Sequence, residues 1–169
     1  MLKAAGILLV VMGASGAGIS MAWSVKRATF LIQQLLQALD QMKTEIEYRK
    51  TPLPELTRLL SLNACGAVAS FFGAVSDDLH LRQETSVYAI VKKNLATSSA
   101  FSPAVRNVLL NLGTGLGKYD VAGQLRAIDL ALDRLRSLLQ QAQTEQAARM
   151  RSYCTLGICA GLAIAIMLF

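Results

Sequence analysis

The segment richest in chemical suggestion is Gly113-Thr114-Gly115-Leu116-Gly117-Lys118, which follows the apolar run from Val108 to Leu112. A glycine-rich loop of this kind cradles phosphate when five residues run from the first Gly to the second and the Lys is followed by Ser or Thr, whose hydroxyl holds magnesium. Here the spacing is four and Lys118 is followed by Tyr119. No later apolar run ends in an Asp to complete a nucleotide site, so the glycines are read as a helix C-cap and a tight turn over Gly113 to Gly117. The three cysteines, Cys65, Cys154 and Cys159, offer no metal clasp, because the last two are five apart on an apolar helix and do not share a face. His80 is the single histidine and stands beside Asp77 and Asp78, an arrangement expected of a surface pair. With no second His and no nucleophile beside a base, no catalytic constellation can be assembled, and neither an enzyme nor a cofactor is expected.

The elements that carry these residues follow from charge and periodicity. The chain has 169 residues, 53% hydrophobic, 17% charged and 6% aromatic, with 17 Lys plus Arg against 11 Asp plus Glu. Its mean hydropathy of +0.42 is high for a domain bathed in water on all sides. All the acids lie between Asp40 and Glu145, and twelve of the bases lie there too, leaving that stretch at +1. The excess sits at Lys3, Lys26, Arg27, Arg149 and Arg151, a distribution that disfavours a phosphate-tracking surface and so a nucleic-acid partner.

Ala4 to Val25 and Ser152 to Phe169 are uncharged stretches of 22 and 18 residues. As helices they reach about 33 and 27 Å, matching a hydrocarbon core of roughly 30 Å. The first also resembles a secretory signal peptide in its Lys3 start and in Ser15 and Ala17. Its length and its stop at Trp23, Lys26 and Arg27 favour a retained span. The expected organisation is a transmembrane helix over 1–25, a cytoplasmic helical bundle over 26–151 and a second transmembrane helix over 152–169, oriented by the basic residues flanking the middle. Gly157 and Gly161 form a GxxxG pair, either a packing face between membrane helices or the ordinary glycine content of such helices.

The middle is all-α by period. Leu31, Leu35, Leu39, Met42 and Ile46 mark one helical stripe ending near Lys50. Thr51 then reads as an N-cap with Pro52 and Pro54 in the first turn. A helix is predicted over 64–81 with Val68, Phe71, Phe72 and Val75 as its buried face, and another over 85–95. A short helix starts at Ser102-Pro103 and ends at Gly113. Asp120 caps a long helix whose Leu125, Ile128, Leu132, Leu135 and Leu139 form a heptad-like seam.

Several segments together resemble the stage III sporulation protein AB family of endospore-forming bacteria. They are the N-terminal span with its basic residues; Glu45-Ile46-Glu47-Tyr48-Arg49-Lys50-Thr51-Pro52-Leu53; Leu112-Gly113-Thr114-Gly115-Leu116-Gly117-Lys118-Tyr119-Asp120 with Gln124; and the closing span with Tyr153, Leu156 and Gly157. The resemblance implies a component of the channel joining mother cell and engulfed forespore, in the mother-cell membrane. It also implies a cytoplasmic domain similar to the F domain of type II secretion systems, the platform on which a cytoplasmic ATPase acts. The partners so implied are other stage III sporulation channel proteins, that ATPase, and further copies of the chain. Thr51, Pro52, Leu53, Gly113, Leu116, Gly117, Asp120 and Gln124 match the family's motifs and serve either partner binding or structure. A competing expectation from the residues is a small membrane sensor or transporter accessory whose helical domain binds a ligand.

Overall fold

The stripe of Leu35, Leu39, Met42 and Ile46 is buried as its spacing requires, with Leu31 half-buried at its start. Residues 27–44 form α1, and Glu45–Arg49 continue it as a π-helical turn that closes on Lys50 in the left-handed conformation, φ 52°. Five more helices follow: α2 (Leu53–Asn63), α3 (Gly66–Leu81), α4 (Val87–Thr97), α5 (Pro103–Lys118) and α6 (Val121–Leu168). No strand occurs among the described residues. This computed structural model describes residues 27–81, 86–118 and 120–168, with side chains placed through residue 144 apart from residues 117–118.

The chain divides into two units, Phe30–Leu139 and Met1–Thr29 with Gln140–Phe169. Within the first, Lys43 Nζ lies 2.6 Å from Asp129 Oδ1 and Arg136 lies 3.9 Å from Asp40. Partner numbers fall on α6 as they rise on α1, so the two helices run antiparallel. Their seam is dry: Leu35, Leu39, Ile128 and Leu135 have no exposed surface. Burying each such side chain contributes about 1.5–3 kcal/mol, whereas the half-exposed ion pairs along the edge contribute little and set register instead. The α2–α3 and α4–α5 hairpins complete the bundle.

Two starts form as predicted. Ser102 Oγ accepts from Val105 N at 3.4 Å ahead of Pro103, and Asp120 Oδ1 accepts from Gly123 N at 3.0 Å. The Thr51 start differs. The residue preceding α2 is Pro52 and no side chain caps the helix; Thr51 Oγ1 instead donates to Glu45 Oε2 at 2.9 Å. Pro54, in the first turn, has no N–H, so this start has one donor fewer for a cap to satisfy.

The predicted loop over Gly113 to Gly117 is not a loop. α5 continues through it to Lys118, and α6 begins at Val121. A helix-interior glycine costs about 1 kcal/mol relative to alanine. That cost is met by burial: Val105, Leu109, Leu112 and Leu116 keep one face of α5 in the core past the first glycine. The surface pair expected of His80 also fails to form. Asp78 is buried and accepts from Asn94 Nδ2 at 2.7 Å and Lys93 Nζ at 3.0 Å, tying α3 to α4, while His80 Nδ1 lies 2.8 Å from the Ser76 carbonyl.

Among the described residues no helix is long and apolar enough to cross a membrane. The expected spans over 1–25 and 152–169, with Gly157, Gly161, Cys154 and Cys159, lie outside the residues whose side chains are described.

Candidate functional site

The motif residues gather at one end of the bundle, the end opposite Phe30 and Leu139. Two corners build it, one between α1 and α2 and one between α5 and α6. In the first, Glu45 is 8% exposed and its carboxylate accepts twice, from Thr51 Oγ1 and from Arg49 Nη1 at 3.1 Å. Both of its oxygens are therefore engaged, as a buried carboxylate requires. The Pro54 carbonyl is similarly shared, accepting from Thr57 Oγ1 at 3.0 Å and from Ser76 Oγ of α3 at 2.9 Å. This fastens the start of α2 onto α3. Pro52 is exposed, and Tyr48 stands out from the π turn with 76% of its surface in solvent.

In the second corner Asp120 caps α6, and Gln124 Nε2 reaches back to the Leu116 carbonyl of α5 at 3.4 Å. That bond gives the last turn of α5 a partner for a carbonyl that lacks one within the helix. Gly117 lies in the same last turn.

A small apolar cavity lies in the core between the helices. Leu53, Gly113 and Leu116 all line it, together with Val91 of α4 and Phe72 of α3, and its volume is about 20 Å³. That is room for one water-sized body in a wall without polar partners, so it stays dry. A small-molecule pocket needs several hundred Å³. Gly113 has a second reason to be glycine: a Cβ there would lie 3.1 Å from Val91 Cγ2 and 3.5 Å from the Tyr88 Cα, so α5 and α4 touch backbone to side chain at this point.

Of the eight motif residues, three thus share a cavity and three more are joined in the corners by side-chain bonds. Gly113 and Leu116 are buried and Leu53 packs half-buried against the core; Thr51 and Gln124 tie neighbouring segments together, and Asp120 caps α6. Glu45 and Val91 are the partners that sequence reading does not single out. Glu45 lies next to Ile46 on the buried stripe, a position where a carboxylate signals a bound donor. Nothing in the sequence marks Val91 as the neighbour of Gly113.

The Asn94 amide, and after it the Lys93 ammonium, hold the Asp78 carboxyl below its usual range. The Asp129 hydrogen bond raises Lys43 above the usual ammonium value. Among the described residues no three His, Cys, Asp or Glu gather where a metal ion would be held. A polar groove of about 160 Å³ lies along α1 between Gln34, Gln37 and Gln41 and the α2 end at Asn63. Two of its amides are already engaged: Gln34 accepts from Cys65 N and Gln41 from Asn63 Nδ2.

Comparison with known proteins returns one consistent answer. The family model for stage III sporulation protein AB matches residues 3–169. The stage III sporulation protein AB of Bacillus subtilis (strain 168) is 28% identical over 170 residues, covering 99% of each chain. A solved structure of a stage III sporulation protein AB superposes with a TM-score of 0.64 at 28% identity, covering 72% of this chain and 98% of that one.

Proposed function

The chain belongs to the stage III sporulation protein AB family, and from that premise we propose that it is a membrane platform of the channel between mother cell and forespore. In this reading residues 1–25 and 152–169 span the mother-cell membrane and the bundle lies in the cytoplasm. It meets other stage III sporulation channel proteins there, a cytoplasmic ATPase among them, and pairs with further copies of itself. The observation that carries the reading is the whole-length family match joined to the antiparallel course of α1 and α6. That course brings both chain ends of the bundle to one end, the end from which the two long uncharged stretches continue in sequence. The motif end is left at the opposite pole, where a soluble partner can reach it.

The test is isolation of the intact assembly from sporulating cells through a tag inserted at the exposed Ser99–Ala100 bend. Recovery of the other stage III channel proteins and the ATPase is the expected result; recovery of the chain without any of them refutes the platform reading. Asp120→Ala and Gly117→Val should reduce capture of the ATPase while exposed Arg134→Ala should not. Gly157→Ile or Gly161→Ile should weaken assembly and leave the bundle folded, since bulk on a GxxxG face blocks close helix approach. Topology is read by labelling single cysteines in intact cells with an impermeant thiol reagent. A residue added after Phe169 should react and one in the bundle should not.

A further inference from the structure

The end of α1 holds a conformation that its own residues do not favour. Glu45–Arg49 is wound with the wide spacing of a π turn, and Lys50 sits at φ 52°, ψ 36°. Helices often close on a residue in this left-handed region, but the residue is usually glycine, because a Cβ there crowds the following carbonyl. Lys50 is the only non-glycine with positive φ among the described residues. The chain cannot simply carry α1 onward, because Pro52 disfavours helical geometry at Thr51. What holds the corner is the buried Glu45 carboxylate, bound on one oxygen by Arg49 and on the other by Thr51, the first residue beyond the strained one.

We propose that Glu45, Arg49 and Thr51 form a latch on a two-state corner. When it is closed, the last turn of α1 is wide, Lys50 is left-handed and Tyr48 stands 76% exposed. When it opens, Lys50 leaves the left-handed region, the turn unwinds or tightens, and Tyr48 moves with it. The hinge is short. α1 up to Ile46 is held in the core, and α2 is fastened from Pro54 onward by Ser76 and by buried Leu56. Any partner that binds Tyr48 in one of the two positions shifts the corner toward that position by its difference in affinity.

The test is hydrogen exchange with mass-spectrometric readout on the full-length chain in detergent. Thr51→Val keeps the β-branched shape and removes the hydroxyl, a hydrogen bond to a charged acceptor. Exchange over residues 47–53 should rise about tenfold or more while peptides from α3, α4 and α5 keep wild-type protection. Glu45→Gln should raise exchange in the same residues. Adding Lys50→Gly to Thr51→Val should restore most of the protection, because glycine adopts the left-handed conformation without steric cost. Unchanged exchange over 47–53 in Thr51→Val overturns the proposal. So does an equal rise across the whole bundle, which would mean general loss of stability, or a failure of Lys50→Gly to rescue.

Discussion

Two glycines in helix interiors, Gly73 of α3 and Gly113 of α5, separate what the chain needs locally from what packing demands. Replacing either by alanine gains about 1 kcal/mol of helix propensity. At Gly73 the new Cβ would meet Ser61 Cβ at 3.7 Å and its Oγ at 4.0 Å, ordinary contact distances, so the gain is kept. At Gly113 it would lie 3.1 and 3.2 Å from the Val91 Cγ2 and Cβ and 3.5 Å from the Tyr88 backbone. Val91 cannot turn aside, because a β-branched side chain has one strongly preferred rotamer in a helix. Nor can α4 withdraw freely, since Lys93 and Asn94 bind Asp78 on α3. Overpacking of this kind costs about 1–3 kcal/mol, which leaves Gly113→Ala destabilised by roughly 0–2 kcal/mol after the propensity gain. The two variants then differ by about 1–3 kcal/mol, or roughly 4–12 °C in Tm for a unit of this size. Thermal unfolding of the full-length chain in one detergent, followed by far-UV circular dichroism, measures the difference. A Gly113→Ala protein melting as high as Gly73→Ala would refute the claim that Val91 and α4 are fixed.

Asp120→Ala should lower stability by about 0.5–2 kcal/mol through loss of the cap to Gly123 N, read as an earlier denaturant midpoint with an unchanged slope. Asp78 should make the bundle acid-sensitive. Its folded pKa lies below the unfolded value, so its contribution is complete above pH about 4 and is lost as pH falls through the folded pKa; Asp78→Asn should flatten that acid limb in a titration of stability. Gly66→Ala should cost about 1–2 kcal/mol although nothing lies within 4 Å of the added Cβ, because Gly66 sits at φ +58°; equal melting of variant and wild type would show that the α2–α3 turn can be rebuilt.

Local chemistry was legible in the sequence. The 3.6-residue stripe of α1, the seam of α6, the Ser102-Pro103 start and the Asp120 cap each depend on residues within a turn of one another, and each is found as read. The family motif was legible for the same reason, as a string of neighbours. What the sequence could not decide were matters settled between elements distant in the chain. Gly113, Gly115 and Gly117 have the composition of a turn, yet they are helical, because burial of Leu112 and Leu116 against the other helices outweighs the glycine penalty. Thr51 has the identity of a cap, yet its hydroxyl goes to Glu45, since the neighbouring prolines leave the helix start fewer donors to satisfy and the buried carboxylate needs one. Asp78 stands beside His80 in the sequence, yet it binds Lys93 and Asn94. Helical rotation points it into the α3–α4 contact, where a buried carboxylate is tolerated only when its oxygens are bound.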